Sequence, residues 1–344
     1  MKLRTLSLTL LLLTMLAAVG YAQAPDLGVT FGSSPESPQK RVEVAKELGA
    51  AWYRPAPLLL GEPSATCADC ELARAAGLKL ALVIRNSRSS GIPSTPVRDA
   101  AAFEQTLREI IGRYKPDLLI VESEPENQRE SFSGTPEEYA NELRVACRVA
   151  QVAKTECAAG GFSSATVAAL ATDQRWKSDH IDAAKFANSI EATRASGRDS
   201  INVFGKHLGT GTTELDAIVD AAAKYIGKNR AIVDRARALI AESESAGATY
   251  FNFHWFESQP DAVQKLIDIL RELTKRPLMT DTIGQRSERP FETGEKIRVL
   301  RENGVRPIIW SGSDAKNGAV GFVDKKGNLR ATAHAFLREA KRAE

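Results

Sequence analysis

The feature of this sequence that most constrains its fold is the alternation of short apolar runs with longer amphipathic runs. The runs Leu78–Ile84 and Asp117–Glu122 have the length and composition of buried strands. The segment Asp99–Tyr114 between them places Phe103 and Leu107 on one helical stripe, and that stripe continues for another turn. Strands that alternate with helices predict a parallel sheet whose connections are helices.

The same pattern continues along the whole chain. Eight strands and about eight helices predict one (β/α)8 barrel, the TIM barrel of the α/β class, with a doubly wound open sheet as the alternative. Residues 165–245 are mostly helical in pattern but too long for one return helix, so we expect a helical insertion between strands 5 and 6. The predicted strands are Leu27–Phe31, Ala51–Arg54, Leu78–Ile84, Asp117–Glu122, Cys157–Phe162, Thr249–His254, Pro277–Thr280 and Arg306–Trp310.

The first residues have the pattern of a secretory signal peptide. Lys2 and Arg4 precede an apolar run, Leu6–Val19, that is shorter than the ~20 residues of a membrane span. A small-x-small motif ends at Ala24, so we predict cleavage there, with an uncleaved anchor as the alternative. The mature barrel domain is then residues 25–344, secreted or periplasmic, and no later stretch predicts a contact with the membrane.

The chain has four cysteines, and an even number in an exported protein predicts disulfides. We expect the pairs Cys67–Cys70 and Cys147–Cys157, the first at the mouth of a helix and the second between a helix and the next strand. A thioredoxin-type role for the first pair is the alternative. A zinc site is not indicated, because no histidine lies near these cysteines in sequence.

Charge and motifs exclude several classes of function. The net charge is +3, which gives no electrostatic reason to expect a nucleic-acid partner. Gly209–Gly211 lacks the spacing and the lysine of a phosphate-binding loop. The four histidines (His180, His207, His254 and His334) are scattered, so we expect no metal and no cofactor. Separately, we expect the mature chain to be a monomer.

Polar and aromatic residues follow the predicted strands, where a (β/α)8 barrel has its active site. Carboxylates, amides and aromatic planes gathered at one rim are suited to binding a poly- or oligosaccharide. Each also has an alternative interpretation without function. The acidic residues could form a solvated loop, and the histidine and the tryptophans could serve only in packing. The candidates are Arg54, Asn86, Glu122, Glu124, Asn127, His254, Trp255, Glu257, Asp281, Thr282 and Trp310.

Three segments resemble the clan of retaining (β/α)8 glycoside hydrolases. Glu122–Asn127 is similar to the Asn-Glu-Pro turn that follows strand 4 in that clan, and Leu278–Gln285 is similar to its strand-7 segment. Trp310 and the later run Gly321–Asn328 resemble its usual ending. The resemblance implies a hydrolase of O-glycosidic bonds with Glu124 as the acid/base residue.

Two positions depart from that pattern. Ser123 stands where the clan has an asparagine, and Thr282 stands at the position of the nucleophile. The second carboxylate is then Asp281 or Glu257, although in a regular strand Asp281 points away from Thr282's side. Asp281 reaches the site only if the strand end twists or bulges. Retention and inversion both stay open, and a glycan-binding barrel that has lost its nucleophile is the alternative function.

Overall fold

The computed structural model describes residues 24–32, 34, 36–62, 66–89, 91–179, 215–256, 260–314, 318–324 and 326–342. Three of the expectations above therefore lie outside the described residues. They are the signal peptide up to residue 23, residues 180–214 of the expected helical insertion, and the candidate carboxylate Glu257.

Eight parallel strands form a nearly closed barrel, which confirms the predicted fold. Along the barrel wall the order is β5-β4-β3-β2-β1-β8-β7-β6, and a further two-residue strand, Leu58–Leu59, pairs with β3. The bridges Ala158–Tyr250 and Phe162–Phe253 join β5 to β6 and complete the circle. The strands are β1 (Ala24–Thr30), β2 (Ala50–Arg54), β3 (Lys79–Arg85), β4 (Leu118–Val121), β5 (Glu156–Ala159), β6 (Phe251–Trp255), β7 (Leu278–Ile283) and β8 (Ile308–Ser311).

Helices connect the strands and surround them. Within the described residues they are α1 (Pro38–Glu47), α2 (Ala68–Ala75), α3 (Ala100–Tyr114), α4 (Pro136–Val152), α5 (Ser164–Asp179), α6 (Leu215–Ser245), α7 (Pro260–Leu273), α8 (Pro290–Glu302) and α9 (Ala331–Lys341). The start of α4 shows why the boundaries follow the sequence: Thr135 and Glu138 form a capping box, with Pro136 in the first turn. No helix in these described ranges combines the length and apolar content that crossing a membrane requires.

The core has two layers because side chains alternate across each strand. Val83, Ile120 and Ile309 belong to the layer inside the barrel. Their strand neighbours, such as Leu82 and Leu119, belong to the layer between barrel and helices. Continuing the inner rows to the C-terminal ends of the strands gives polar residues instead of apolar ones, so the inside of the barrel changes from a dry core to a charged layer at that end.

β7 contains an irregularity beside the site. Asn252 and His254 of β6 pair with Met279 and Thr282, so an advance of two residues along β6 corresponds to an advance of three along β7. The pairing of β7 with β8 slips in the same stretch. One extra residue at Asp281 accounts for both slips, which is the definition of a β-bulge.

Both expected disulfides are present. Cys67 is bonded to Cys70 at the start of α2, and Cys147 of α4 is bonded to Cys157 of β5. The second bond therefore ties a helix to the strand that borders the closure of the barrel.

Candidate active site

Four side chains from four elements form one hydrogen-bonded chain at the C-terminal end of the barrel. Glu124 Oε1 lies 3.0 Å from His254 Nδ1, and His254 Nε2 lies 2.9 Å from Asp281 Oδ1. Arg54 Nε donates to the other oxygen of Asp281 at 2.7 Å. The order is therefore carboxylate, imidazole, carboxylate, guanidinium, starting at the turn after β4 and ending on β2.

Exposure decreases steeply along this chain. The Glu124 side chain is 33% exposed, whereas those of His254 and Asp281 are 5% and 1% exposed. Arg54 is also buried. Glu124 thus faces solvent, and His254 lies between it and the buried Asp281.

The buried part of the chain is an ion pair. Burial alone lowers the pKa of His254, but the charge of Asp281 and hydrogen bonds to Asp281 and Glu124 outweigh it and raise that pKa to about 10. Burial raises the pKa of Asp281, but the charges of Arg54 and His254 outweigh it and hold that pKa far below its usual range. His254 is therefore an imidazolium at neutral pH, with hydrogen-bond donors on both nitrogens.

Neighbouring residues hold this arrangement in place. Arg54 also donates to the Thr30 hydroxyl, and the backbone N–H of Asp281 donates to the Asn252 side-chain oxygen. Gly161 lies directly against the chain: a Cβ at that position would be 2.5 Å from His254 Nε2 and 2.9 Å from Asp281 Oδ1. No other residue type fits there without displacing the imidazole.

The turn that carries Glu124 is strained. Glu122 and Glu124 have φ values of 65° and 50°, in the left-handed region that residues with a Cβ seldom adopt. The Glu124 N–H donates to the Gly161 carbonyl, and its carbonyl accepts from the Asn127 N–H, which fixes the turn. Strained backbone of this kind is concentrated at functional sites.

Glu122 has a supporting position. It is fully buried, accepts from the Asn86 N–H and the Ser94 hydroxyl at 2.6 Å each, and lies 3.6 Å from Arg85. Burial raises its pKa, and the neighbouring Glu142 has a pKa raised well above its usual value, first by burial and then by the charge of Glu122. Ionisation of one of these two neighbouring acids therefore opposes ionisation of the other.

Two further polar residues of the turn differ in their surroundings. Glu126 is buried and accepts from the Ser163 N–H, while its second oxygen has no hydrogen-bond partner among the described residues. Burial and the charge of Glu124 raise its pKa. Asn127 is half-buried and donates to Glu130.

The structure does not bring the two candidate tryptophans into this group. Trp255 and Trp310 lie on the outer side of the barrel wall in the layer beneath the helices, and neither offers a ring face to solvent. Trp310 stacks on Phe322 at 5.8 Å. Thr282 is half-buried beside Asp281, and Asn86 donates its side-chain amide to the Thr95 carbonyl.

Sequence reasoning missed Thr30, Asn252, Gly161 and Glu142. Period-two alternation could have found Asn252, which precedes His254 by two residues on the same strand face. The end of strand 1 points to Thr30 in the same way. Among the described residues, no group of three histidine, cysteine or acidic side chains could hold a metal ion.

Several known structures that superpose on this barrel are glycoside hydrolases. A glucosidase from Croceicoccus marinus superposes with a TM-score of 0.54 at 12% identity over 92% of this chain and 67% of its own. An exo-β-1,4-mannosidase, Op5Man5, from Opitutaceae bacterium strain TAV5 gives 0.53 at 12% identity over 92% of this chain and 60% of its own. A GH128 (subgroup VI) exo-β-1,3-glucanase from Aureobasidium namibiae gives 0.53 at 8% identity over 91% and 96%. Such low identities establish a shared fold.

No family model matches the sequence, and no curated protein matches it either. The fold that the clan resemblance implied is confirmed by these structures, and the chemistry rests on the site residues themselves.

Proposed function

We propose that this protein is a glycoside hydrolase that uses Glu124 as its acid/base residue. The observation that supports this most directly is the position of Glu124: a partly exposed carboxylate on a strained turn at the C-terminal end of β4, bonded through His254 to the ionised Asp281. Active sites of (β/α)8 enzymes lie at this end of the barrel.

In the proposed reaction the His254 imidazolium passes its proton through the hydrogen bond to Glu124, and Glu124 gives that proton to the glycosidic oxygen as the bond to the leaving sugar breaks. Water supplies the new hydroxyl at the anomeric carbon, and a second carboxylate takes part as base or nucleophile. Asp281 is one candidate for that role, and Glu257 after β6 is the other. No reagent besides water is consumed.

The imidazole of His254 affects the stereochemistry. Its ring separates Glu124 from Asp281, which sets these carboxylates farther apart than the ~5–5.5 Å of a retaining pair. With the ring in place the spacing favours inversion, the course typical of carboxylates ~6.5–9.5 Å apart. Retention through Asp281 requires the ring to move aside.

The test is hydrolysis by the purified mature protein of aryl β-glycosides, β-1,3-glucan and β-1,4-mannan, the last two chosen from the activities of the structural neighbours. Glu124→Gln removes the proton donor and keeps its size, so kcat should fall roughly 10²–10⁴-fold. The matched control is Glu137→Gln, an exposed carboxylate in the first turn of α4, which should leave kcat unchanged. Hydrolysis that survives Glu124→Gln would exclude Glu124 as the acid.

Two more variants separate the candidates for the second carboxylate. Asp281→Asn should cost a comparable factor if Asp281 faces the sugar, and Glu257→Gln should then be near neutral. His254→Ala distinguishes two roles of the imidazole. If the ring protonates and orients Glu124, its removal should lower the activity of the protein. If the ring obstructs Asp281, its removal should raise that activity.

A glycan-binding barrel without hydrolytic activity is the second candidate, and one observation favours it. The His254 ring occupies the space between the two carboxylates and is bonded to both, as a structural ion pair would be. Binding of a glycan with no cleavage by the wild-type protein supports this candidate, and Thr282→Glu then tests whether restoring the clan's side chain restores hydrolysis.

Export completes the proposal. The basic and apolar leader, its small-x-small end and the two disulfides support secretion or a periplasmic location, and we propose in addition that the mature protein is a monomer. N-terminal sequencing of the exported protein should begin at Pro25, and size-exclusion chromatography should give one chain.

A further inference from the structure

A cleft of about 760 Å³ opens at the N-terminal end of the barrel, opposite the candidate active site. The C-terminal parts of α3 and α4 form its walls, with Ile111 and Val149 among the apolar residues, and Trp52 of β2 lies at the barrel end. This volume is in the range of ~300–1,000 Å³ typical of ligand sites.

The polar lining of this basal cleft is mostly positive. Its acidic residues are Asp117 and Glu156, and its basic residues are Arg74, Lys79, Arg108, Lys115 and Lys154. Asp117 pairs with Arg74 at 3.6 Å, Arg108 pairs with Glu104 outside the lining, and Glu156 accepts from the Tyr250 hydroxyl at 2.9 Å.

The three lysines of the cleft, unlike its arginines, have no ion pair with a carboxylate among the described residues. Within the described part of the chain, the ammonium groups of Lys115 and Lys154 have no carboxylate partner, and both side chains are exposed. Lys79 places its ammonium over the Trp52 ring at 5.2 Å. The cleft therefore combines three exposed lysines with an aromatic side chain, although the net charge of the whole protein is only +3.

The backbone at Lys115 and Lys154 provides a separate observation. Several helices of this protein end in a left-handed residue, and after α1, α2, α6 and α8 that residue is a glycine: Gly49, Gly77, Gly247 and Gly304. After α3 and α4 it is Lys115, with φ 47°, and Lys154, with φ 59°. These two lysines both line the basal cleft. Lysine has a steric cost at such positions that glycine does not.

Helix C-termini offer a competing explanation, because a lysine there stabilises the helix dipole. It applies to Lys154, because α4 has no basic residue in its last turn, but it is redundant for Lys115, because Arg113 already occupies the last turn of α3. Among these six helix ends, the left-handed lysines occur at the two that form the walls of the cleft, which points to a ligand in addition to helix stability.

A second cleft of about 480 Å³ extends the same surface past Lys154. Lys154, Thr155 and Glu156 line both clefts. Arg144 adds a further cation beside the Cys147–Cys157 disulfide, whereas Arg148 there is paired with Glu104 at 2.6 Å. The positive surface is therefore elongated and suited to a chain-like anion.

We propose that the basal cleft binds an acidic polysaccharide, whose carboxylate or sulfate groups contact Lys115, Lys154 and Lys79. The choice of a polysaccharide over other polyanions rests on the proposed function, whereas the anion site itself rests on the cleft. A bound acidic chain would hold the protein on its substrate matrix, away from the candidate active site.

The experiment measures binding of wild-type mature protein to polygalacturonate (a uronate chain) and dextran sulfate (a sulfated chain) by isothermal titration calorimetry. Uncharged dextran is the matched neutral probe, and a DNA duplex is the competing polyanion. Binding to at least one acidic glycan, weakened by salt, is expected. Equal binding of dextran, tighter binding of DNA, or no binding would overturn the proposal, and none of these outcomes bears on hydrolysis.

The variant pair Lys115→Gly and Lys154→Gly gives a second readout. Affinity should fall about tenfold in the double variant, while the melting temperature stays the same or rises because the backbone strain is relieved. Lys224→Ala with Lys228→Ala on α6 removes the same charge outside the clefts and should leave affinity unchanged. A melting temperature that falls with no change in affinity would show that the lysines only stabilise helix ends.

Discussion

His254 provides the sharpest test of the site, because its charge links the exposed and buried carboxylates. His254→Gln keeps a hydrogen-bonding side chain and removes the titratable ring. The folded-state pKa of His254 is raised from 6.5 to about 10, so the ion pair contributes fully to stability below pH ~6.5 and that contribution is lost as pH rises towards 10.

The magnitude follows from proton linkage. In this window the unfolded chain releases a proton that the folded chain keeps, which lowers the free energy of unfolding by about 1.4 kcal/mol per pH unit. Between pH 7 and pH 9 the wild-type protein should therefore lose about 2–3 kcal/mol more than His254→Gln. The lowered pKa of Asp281 reflects the same ion pair, so it contributes no further free energy of unfolding in this calculation.

Urea denaturation at pH 7, 8 and 9, with both disulfides intact, measures this difference. Asp281→Asn is the matched control: it keeps the histidine but removes the largest cause of its raised pKa, so its pH dependence should resemble that of His254→Gln. Parallel pH profiles for wild type and His254→Gln would show that the imidazole is neutral and that no buried ion pair exists.

Three further predictions concern residues around the site and the disulfides. Glu142→Gln should raise the melting temperature at pH 7 but not at pH 4. At pH 7 the unfolded chain ionises Glu142 while the folded protein keeps it protonated, which costs stability, whereas at pH 4 the acid is largely protonated in both states. Gly161→Ala should lower the free energy of unfolding by roughly 1–3 kcal/mol in urea, since its Cβ would overlap His254, whereas Gly227→Ala, in open space on α6, should not destabilise the protein. Thiol titration of the denatured, unreduced protein should find no free thiol, and breaking either Cys67–Cys70 or Cys147–Cys157 should cost about 2–3 kcal/mol.

The barrel could be predicted from sequence because its strands are short apolar runs and its helices have clear ends. The boundaries of β2 and α3 differ from prediction by one residue. Such boundaries depend on local chemistry, as in the Asp99 side chain that accepts from two N–H groups at the start of α3.

The inner arrangement of the site could be predicted only in part. Regular alternation turns Asp281 away from the side of Thr282, and the bulge in β7 is a property of its pairing with β6 and β8 that no local pattern reveals. Alternation argues against the candidate Trp255, although the sequence-based choice of candidates did not apply it: Trp255 follows His254, so an inward histidine requires an outward tryptophan. The same rule places Trp310 behind the wall.

The closure between β5 and β6 lacks the continuous ladder of the other strand pairs, so we expect the site beside it to open more readily than the rest of the barrel. Isolated bridges join these strands, and the short stretch around Gly161 bonds to both sides of the closure: the Gly161 carbonyl accepts from the Glu124 N–H, and the Phe162 carbonyl accepts from the His254 N–H. A local opening here separates the two ends of the carboxylate–imidazole chain while the other strand pairs stay formed. Hydrogen exchange at the Glu124 and His254 amides should therefore be faster than at Ile120, and on heating the contact between Glu124 and His254 should be lost before the barrel melts.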